Sequence, residues 1–378
     1  MLTKGPVAML VFALCVMVYW AITGLKSIAS FKQLFVFSVA LLSIGGIWFL
    51  LLVATGNSHI IKEFFLYQIR LFNTQDSGHG GSFFYHWIVL LIGCFPASVF
   101  ALRAFQKNNS DLPSQKSFKR WMLILFWVVL ILFSIVETKI VHYSSLCYFP
   151  LTFLSAYTLY KLISGELEWK KSTSYLLCFI ASLIGIAIMA LPFIDKYKIQ
   201  IINSGLIHDQ FATENLKAQV YWSGYEWLIG AFLVASVFFI LYSYRKTNST
   251  KSLISILIVS MITINLDLIV IVPRVEKYSQ GAAIEFYEQS QNKECYVETI
   301  GFFRYAHYFY TKKNVPSNKN SYDINWLLTG NIDKPAYFVC RVNSFEDIVK
   351  SYPELKEIYR KNGFVFLVRN VDTATTKN

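Results

Sequence analysis

One short segment between two apolar stretches gathers several side chains that could do chemistry. Residues 137–143 contain Glu137, Lys139, His142 and Tyr143. Ionisable groups at the edge of a bilayer are costly unless they are paired or used, so this segment is a candidate for chemistry at a membrane surface. The alternative is an interfacial salt-bridge cluster of Glu137, Lys139 and His142 that only anchors the ends of two helices.

A second polar segment, residues 55–85, is too long for a simple turn. A helical pattern at 60–72 carries Arg70, a glycine-rich stretch with His79 follows, and an aromatic belt at 83–87 leads into the next apolar stretch. Loops of about 30 residues inside a compact protein are usually functional. The pattern predicts an amphipathic helix on the membrane surface followed by a hinge that moves. The alternative is a plain surface helix whose basic side chains reach towards the lipid head groups.

The elements that must position these residues are membrane helices. The chain of 378 residues is 17% aromatic, and its mean hydropathy is +0.44. About 20 mostly apolar residues cross a bilayer as a helix. We therefore predict about eight spans, at 7–23, 33–54, 86–102, 121–136, 144–163, 174–194, 226–242 and 253–272.

The orientation of these spans follows from the basic residues of the connecting loops. The loops at 24–32, 103–120, 161–173 and 243–252 hold thirteen lysines and arginines, against six in the alternate loops. The first set is predicted to be cytoplasmic, so both termini lie outside, and the protein is placed in the cytoplasmic membrane. The net charge of +12 then reflects topology and anionic lipid rather than nucleic acid.

The composition changes after residue 272. Residues 1–272 are predicted to form the membrane domain, 273–371 an extracytoplasmic α/β domain, and 372–378 a disordered tail. Within the α/β domain we predict helices at 279–291, 304–310, 323–328 and 345–351, and strands at 294–299, 336–342, 356–360 and 364–369.

The last two predicted strands form a hairpin around Asn362-Gly363. Cys295 and Cys340 fall in two other predicted strands. The sequence is compatible with a disulfide between them and with two unpaired core cysteines. The domain has neither a nucleotide-binding glycine loop nor metal-ligand spacing, and we assign it no catalysis.

Three motifs in order resemble those of the aminoarabinose transferase family and its bacterial protein-mannosyltransferase relatives. The first is Leu2-Thr3-Lys4-Gly5-Pro6, and the second is Arg70-Leu71-Phe72 followed by Asp76-Ser77-Gly78-His79-Gly80-Gly81, Tyr85, Gly93 and Phe95-Pro96. The third is Thr138-Lys139-Ile140-Val141-His142-Tyr143 with Pro150, where Val141 replaces the proline of the family's Lys-Leu-Pro-His-Tyr element. The resemblance covers essentially all of the membrane part.

The resemblance implies a membrane glycosyltransferase of the C-type fold, which takes a sugar from a polyprenyl-phosphate carrier and passes it to an extracytoplasmic glycan, lipid or protein acceptor. In this family the catalytic aspartate lies in a large first external loop, ahead of the Lys-Gly-Pro element. This chain starts at that element. It therefore resembles the carboxyl-terminal portion of such an enzyme and is expected to be inactive alone, without the missing N-terminal loop, which a separate N-terminal half could supply as a partner.

The resemblance also implies roles for residues at the outer surface. Cations must meet the donor phosphate, and the candidates are Lys4, Arg70, Lys139, His142 and Tyr143. The mobile loop would contain Gly78, His79, Gly80, Gly81 and Tyr85.

Two further roles stay open. Asp76 and Glu137 are weak candidates for the general base. No cofactor is predicted, although His79 would be a ligand if a divalent metal were used.

A non-catalytic membrane protein is the competing interpretation. It would be a transporter-like bundle or a degenerate relative that only binds lipid. Transporters usually place polar or broken helices near the bilayer midplane. Here the polar groups gather at the outer ends of the predicted spans, which favours chemistry on lipid head groups.

Overall fold

The computed structural model describes residues 6–25, 29–74, 80–106, 111–247, 251–302, 304–314 and 317–371. The helices of the first half are α1 Pro6–Ile22, α2 Phe31–Ala54, α3 Ser58–Asn73, α4 Tyr85–Gly93, α5 Ala97–Ala104, α6 Pro113–Ile135, α7 Tyr148–Ile163 and α8 Lys171–Lys196. Those of the second half are α9 Lys198–Asn203, α10 Gln210–Leu216, α11 Trp227–Thr247, α12 Lys251–Leu266, α13 Val272–Ser279, α14 Gly281–Gln289, α15 Ala306–Tyr310, α16 Ile324–Thr329 and α17 Phe345–Ser351. The strands are β1 Tyr296–Thr299, β2 Ala336–Arg341, β3 Lys356–Lys361 and β4 Phe364–Arg369.

The predicted helical membrane bundle is confirmed, because each predicted apolar stretch is helical. Within the described residues, six helices are long and apolar enough to cross a bilayer, at Phe31–Ala54, Pro113–Ile135, Val141–Ile163, Lys171–Lys196, Trp227–Thr247 and Ser252–Ser279. In the last of these, α12 continues through a π-helical turn at Asp267–Ile271 into α13. The helix α1 is shorter, at 17 residues.

The third predicted span, 86–102, is not one straight helix as expected. It consists of α4 and α5, whose axes differ by 109°, and counting this pair as one span raises the total from six to seven among the described helices. The break falls just before α5, at Pro96. Proline lacks the N–H that a helix needs and disfavours helical geometry in the residue before it, so the apolar run continues while the helix does not.

The chain forms two compact units. Unit 1 comprises Met1–Ile184 and Leu233–Met261, and unit 2 comprises Gly185–Phe232 and Ile262–Asn378. Unit 1 has two apolar cores, one around Phe100 and Leu177 and the other around Val129 and Leu154. Helix α2 buries only 11% of its most apolar window, which suits a helix that faces lipid. The predicted domain boundary at residue 272 stays a prediction.

The sheet of unit 2 is built as a small α/β layer. Its strand order is β1-β2-β4-β3, with β1 parallel to β2 and the other pairs antiparallel. Alternate residues of a strand face opposite sides of a sheet. Accordingly Phe338 packs in one core with helices α16 and α17, whereas Val339 packs in the other with α14. The predicted small α/β part is thus confirmed.

The closing hairpin, the first helix and the two cysteines of unit 2 can be compared with their predictions. The residues that join β3 to β4, Asn362 and Gly363, have φ angles of 47° and 79°, as a tight hairpin turn requires. The helix predicted at 279–291 is shorter and begins at Gly281, because the chain turns at Gln280 (φ −149°). Cys295 and Cys340 are both buried and unpaired.

A buried ion pair holds the start of α6 to the end of α7 in unit 1. The Lys161 amine lies 3.2 Å from the Asp111 carboxylate, and both side chains are 2% exposed. The Tyr157 hydroxyl also donates to Asp111, and Glu166 is a second carboxylate on Lys161. Removing one partner of a buried pair is costly because the other charge stays buried.

We expect Asp111→Ala to lower the free energy of unfolding of the purified protein by about 3 kcal/mol, since Glu166 still compensates Lys161 in part. Thermal unfolding in detergent measures this effect. The exposed acid Glu168 serves as a control, and Glu168→Ala should leave the melting temperature unchanged. Equal melting temperatures for the two variants would contradict a stabilising role for the pair.

Candidate functional site

The end of α3 is fastened to the segment 137–138 by hydrogen bonds. The Thr138 N–H donates to Leu71 C=O (3.4 Å), and the Glu137 N–H donates to Phe72 C=O (3.1 Å). The Thr138 hydroxyl donates to Thr74 C=O at 2.6 Å. The last carbonyls of a helix have no partner within it, so these bonds satisfy groups that would otherwise be left open. Two segments that lie 64 residues apart in sequence are therefore joined.

Arg70 lies in the last turn of α3, beside this junction. Its side chain is exposed, and its guanidinium carbon lies 5.0 Å from the centre of the Tyr67 ring. Leu71 is the one buried residue of α3. Large apolar side chains such as Ile69 are exposed on the same helix. An amphipathic helix whose end is fixed in this way can lie along a membrane surface, as the sequence predicts.

Lys139, which the sequence predicts to be a cation at the membrane interface, is instead buried. It is 5% exposed, and its amine donates to the carbonyls of Phe133 (3.4 Å), Ser134 (2.7 Å) and Val136 (2.5 Å). These carbonyls belong to the end of α6 and the residue that follows it, so Lys139 caps that helix. A lysine amine has three donors, and all of them are engaged here. Burial lowers the pKa of Lys139, and the nearby Glu137 carboxylate opposes this shift in part.

The chain that follows the predicted hinge passes over Lys139. A Cβ atom placed on Gly81 would lie 3.1 Å from Cγ of Lys139 and 3.6 Å from Cδ2 of Tyr85. Only a glycine lets the backbone run this close without displacing the lysine. Two of the predicted loop residues, Gly81 and Tyr85, thus lie at the same place as Lys139.

His142 and Tyr143 continue the polar segment as a short 3-10 helix, Val141–Cys147. His142 is exposed, and its ring meets the Tyr143 ring edge to face with centroids 5.1 Å apart. Tyr143 lies 5.4 Å from Phe133, on the α6 end that Lys139 caps. His142 and Tyr143 are therefore close along the chain to the junction with α3.

The other predicted site residues fall into two groups. Glu137 is described and is exposed. Lys4, Asp76, Gly78 and His79 lie outside the described residues. Among the residues that the structure describes, no three or more His, Cys, Asp or Glu side chains are grouped to hold a metal ion.

His86 is a residue that sequence reasoning missed. It is fully buried, and its Nδ1 lies 3.1 Å from the Ser144 hydroxyl, which itself donates to Val141 C=O. The hydroxyl has one proton, so Nδ1 must be the donor to Ser144, and Nε2 is left as a bare acceptor. Nε2 is buried without a hydrogen-bond partner in the described structure. The available signal is an ionisable residue at the start of an apolar stretch, within the predicted aromatic belt at 83–87.

Two curated proteins resemble the chain in sequence, and both are undecaprenyl phosphate-alpha-4-amino-4-deoxy-L-arabinose arabinosyl transferases. The protein from Wigglesworthia glossinidia brevipalpis is 28% identical over 149 residues, which are 37% of this chain and 25% of the relative. The protein from Pectobacterium carotovorum subsp. carotovorum (strain PC1) is 29% identical over 158 residues, which are 41% of this chain and 28% of the relative. No protein-family model matches the chain.

The fold resembles that of solved structures of ArnT from Cupriavidus metallidurans. The structure of ArnT bound to undecaprenyl phosphate matches with a TM-score of 0.63 and 13% identity, over 97% of this chain and 66% of ArnT. The apo structure of ArnT gives the same values. The chain therefore has an ArnT-like fold, and the resemblance to aminoarabinose transferases is confirmed, although the sequence matches span only 25% and 28% of those relatives.

We expect Thr138→Val to loosen the end of α3, because the valine cannot donate to Thr74 C=O. Amide hydrogen exchange at residues 70–74 should accelerate roughly fivefold for a lost bond of about 1 kcal/mol. Thr152→Val is the matched control, since the Thr152 hydroxyl only bonds carbonyls of its own helix. Unchanged exchange at residues 70–74 in Thr138→Val would show that this bond does not hold the helix.

Proposed function

We propose that the chain is a membrane glycosyltransferase, or the part of one, that uses a polyprenyl-phosphate-linked sugar as its donor. The fold and the named relatives support a transferase of the aminoarabinose type. The observation that carries the proposal is that residues from two of the predicted motifs lie close together. Arg70, Gly81 and the segment 137–143 are far apart in sequence, yet α3, the chain after the hinge and the capped end of α6 adjoin one another.

The chemistry of the reaction explains the cations at this place. When a sugar leaves its polyprenyl carrier, negative charge develops on the phosphate oxygen that departs. A fixed positive group nearby lowers the energy of that state, and more so where water is excluded. Arg70 is exposed and suited to contact the phosphate, because its guanidinium offers parallel donors to two oxygens. His142 is exposed on the adjoining segment, where a ring N–H can donate to a phosphate oxygen.

Lys139 has an indirect role in this proposal. Its donors are engaged by the end of α6, so it contributes its charge from below the surface and positions the chain at Gly81. A direct contact with phosphate would require Lys139 to give up one of its three carbonyls. Tyr143 packs on the same helix end and keeps the polar segment in place.

The side of the membrane on which the acceptor binds is proposed from the distribution of charge alone. The loops rich in lysine and arginine would face the cytoplasm, so the residues around Arg70 and Lys139 and the α/β part would lie outside it. The acceptor would then be an extracytoplasmic glycan, lipid or protein, and the protein would belong to the cytoplasmic membrane. Glu137 is the described candidate for the base that activates the acceptor.

We expect the purified chain to bind undecaprenyl phosphate and to bind uncharged undecaprenol at least tenfold more weakly, because the phosphate supplies the ionic contact. Arg70→Gln should weaken binding of undecaprenyl phosphate roughly tenfold. Native mass spectrometry in detergent at fixed ionic strength measures both affinities.

The control is Lys62→Gln, which removes an exposed cation from the same helix two turns earlier and should leave the affinity unchanged. Lys139→Met should lower the melting temperature as well as the affinity, since it uncaps α6. Equal affinity for the phosphate and the alcohol, or an Arg70→Gln protein that binds as tightly as the parent, would contradict the proposal.

A further inference from the structure

Unit 2 contains a cavity of about 320 Å³ with two arginines in its wall. Ligand sites in proteins are usually apolar clefts of about 300–1,000 Å³ with a few polar groups, so this cavity suits a ligand the size of one sugar. Its wall includes Phe211, Gln280, Phe302, Arg304, Arg341 and Phe364. These residues come from the end of β2, the start of β4, helix α10 and the loops around α14 and α15.

Arg341 is fixed in an aromatic setting. It is the last residue of β2, paired in register with Phe364 of β4. Its guanidinium carbon lies 4.9 Å from the centre of the Phe211 ring and 5.2 Å from that of Phe302. The faces of these rings attract the cation and hold its plane. The phenyl rings do not, however, accept the hydrogen bonds that the guanidinium can donate.

One donor of Arg341 is left without a partner. Its Nε atom is buried and makes no hydrogen bond to any residue that the structure describes. An orphaned buried donor of a charged group is costly. Native proteins satisfy most such groups. The Arg341 guanidinium, which lines the cavity, therefore keeps donor capacity that the described residues do not use.

The charges around the cavity favour an anion as the acceptor for the Arg341 guanidinium. Burial and the neighbouring Arg304 charge both lower the pKa of Arg341, while Asp209 raises it. The Asp209 carboxylate accepts from the Phe211 N–H at 3.0 Å and from Asn343 Nδ2 at 2.8 Å, both at Oδ1. It does not line the cavity, whereas Arg304 and Arg341 do, and this leaves an excess of positive charge in the cavity wall.

We propose that this cavity binds the oxyanion of a sugar-sized ligand, with a phosphate or carboxylate group on Arg304 and Arg341 and the body of the ligand against the phenyl rings. Guanidinium groups bind both kinds of oxyanion through paired hydrogen bonds. Gln280 can bond hydroxyl groups of the ligand from the same wall. All of these residues belong to unit 2, so the site does not depend on the transfer reaction proposed above.

The test uses the full chain in detergent and four probes at constant ionic strength, with binding measured by calorimetry. Glucose 1-phosphate and glucuronate carry the two oxyanions on a sugar, glucose lacks the charge, and inorganic phosphate lacks the sugar. We expect at least one charged sugar to bind, and to bind at least tenfold more tightly than glucose and than inorganic phosphate. The tighter of the two charged sugars identifies the anion.

Variants assign that binding to the cavity. Arg304→Gln should weaken it roughly tenfold without unfolding, because Arg304 is exposed. Arg341→Lys should weaken it as well, since the cation is kept and the paired donors are lost. The matched control is Arg360→Gln, an arginine of the same unit that stacks 4.3 Å from the centre of the Phe345 ring and does not line the cavity.

The proposal is overturned if no charged sugar binds, or if glucose or inorganic phosphate binds as tightly as the charged sugars. It is also overturned if Arg304→Gln binds as the parent does, or if Arg360→Gln weakens binding equally. Should Arg341→Lys prove unstable, the Arg304→Gln result decides, because that exposed side chain has no packing role to lose.

Discussion

Two helices of unit 1 end beside one short segment, and the need to satisfy their last carbonyls organises the candidate site. The last carbonyls of helix α3 accept hydrogen bonds from the N–H groups of Glu137 and Thr138. The carbonyls at the end of α6 accept hydrogen bonds from the Lys139 amine. Backbone carbonyls that are buried without a partner are costly. One stretch of three residues therefore caps two helices, and it fixes Arg70 beside the polar segment that follows.

This arrangement gives the basic residues two uses that compete. A cation at the carboxyl end of a helix is stabilised by the helix dipole and by the open carbonyls, without any ligand. Lys139 is fully committed to that structural use, whereas Arg70 keeps an exposed guanidinium. Lys139 is buried because it caps α6. In the proposed function it acts only through its positive charge and through its packing against the backbone at Gly81. A lipid phosphate would then meet Arg70 first.

The sequence predicted the elements better than their contacts. Apolar runs located each of the long apolar helices among the described residues, and alternation with the Asn362-Gly363 turn located the closing hairpin, because these signals are local. The bend at Pro96 was missed because an apolar run says nothing about direction. His86 and Gly81 were missed as structural partners because their contacts are with Ser144 and Lys139, more than fifty residues away. The Arg304–Arg341 cavity was equally out of reach, since its wall is assembled from separated strands and loops.

In the proposed function, the end of α3, the chain at Gly81 and the segment 137–143 surround a lipid-borne phosphate. Photo-crosslinking tests it most directly, with a polyprenyl phosphate that carries a diazirine next to the phosphate and with mass spectrometry of the labelled peptides. We expect labels on residues 70–74, 81–86 and 137–143, which excess undecaprenyl phosphate competes away and undecaprenol does not. Labels confined to other parts of the chain, or competition by both lipids alike, would contradict it.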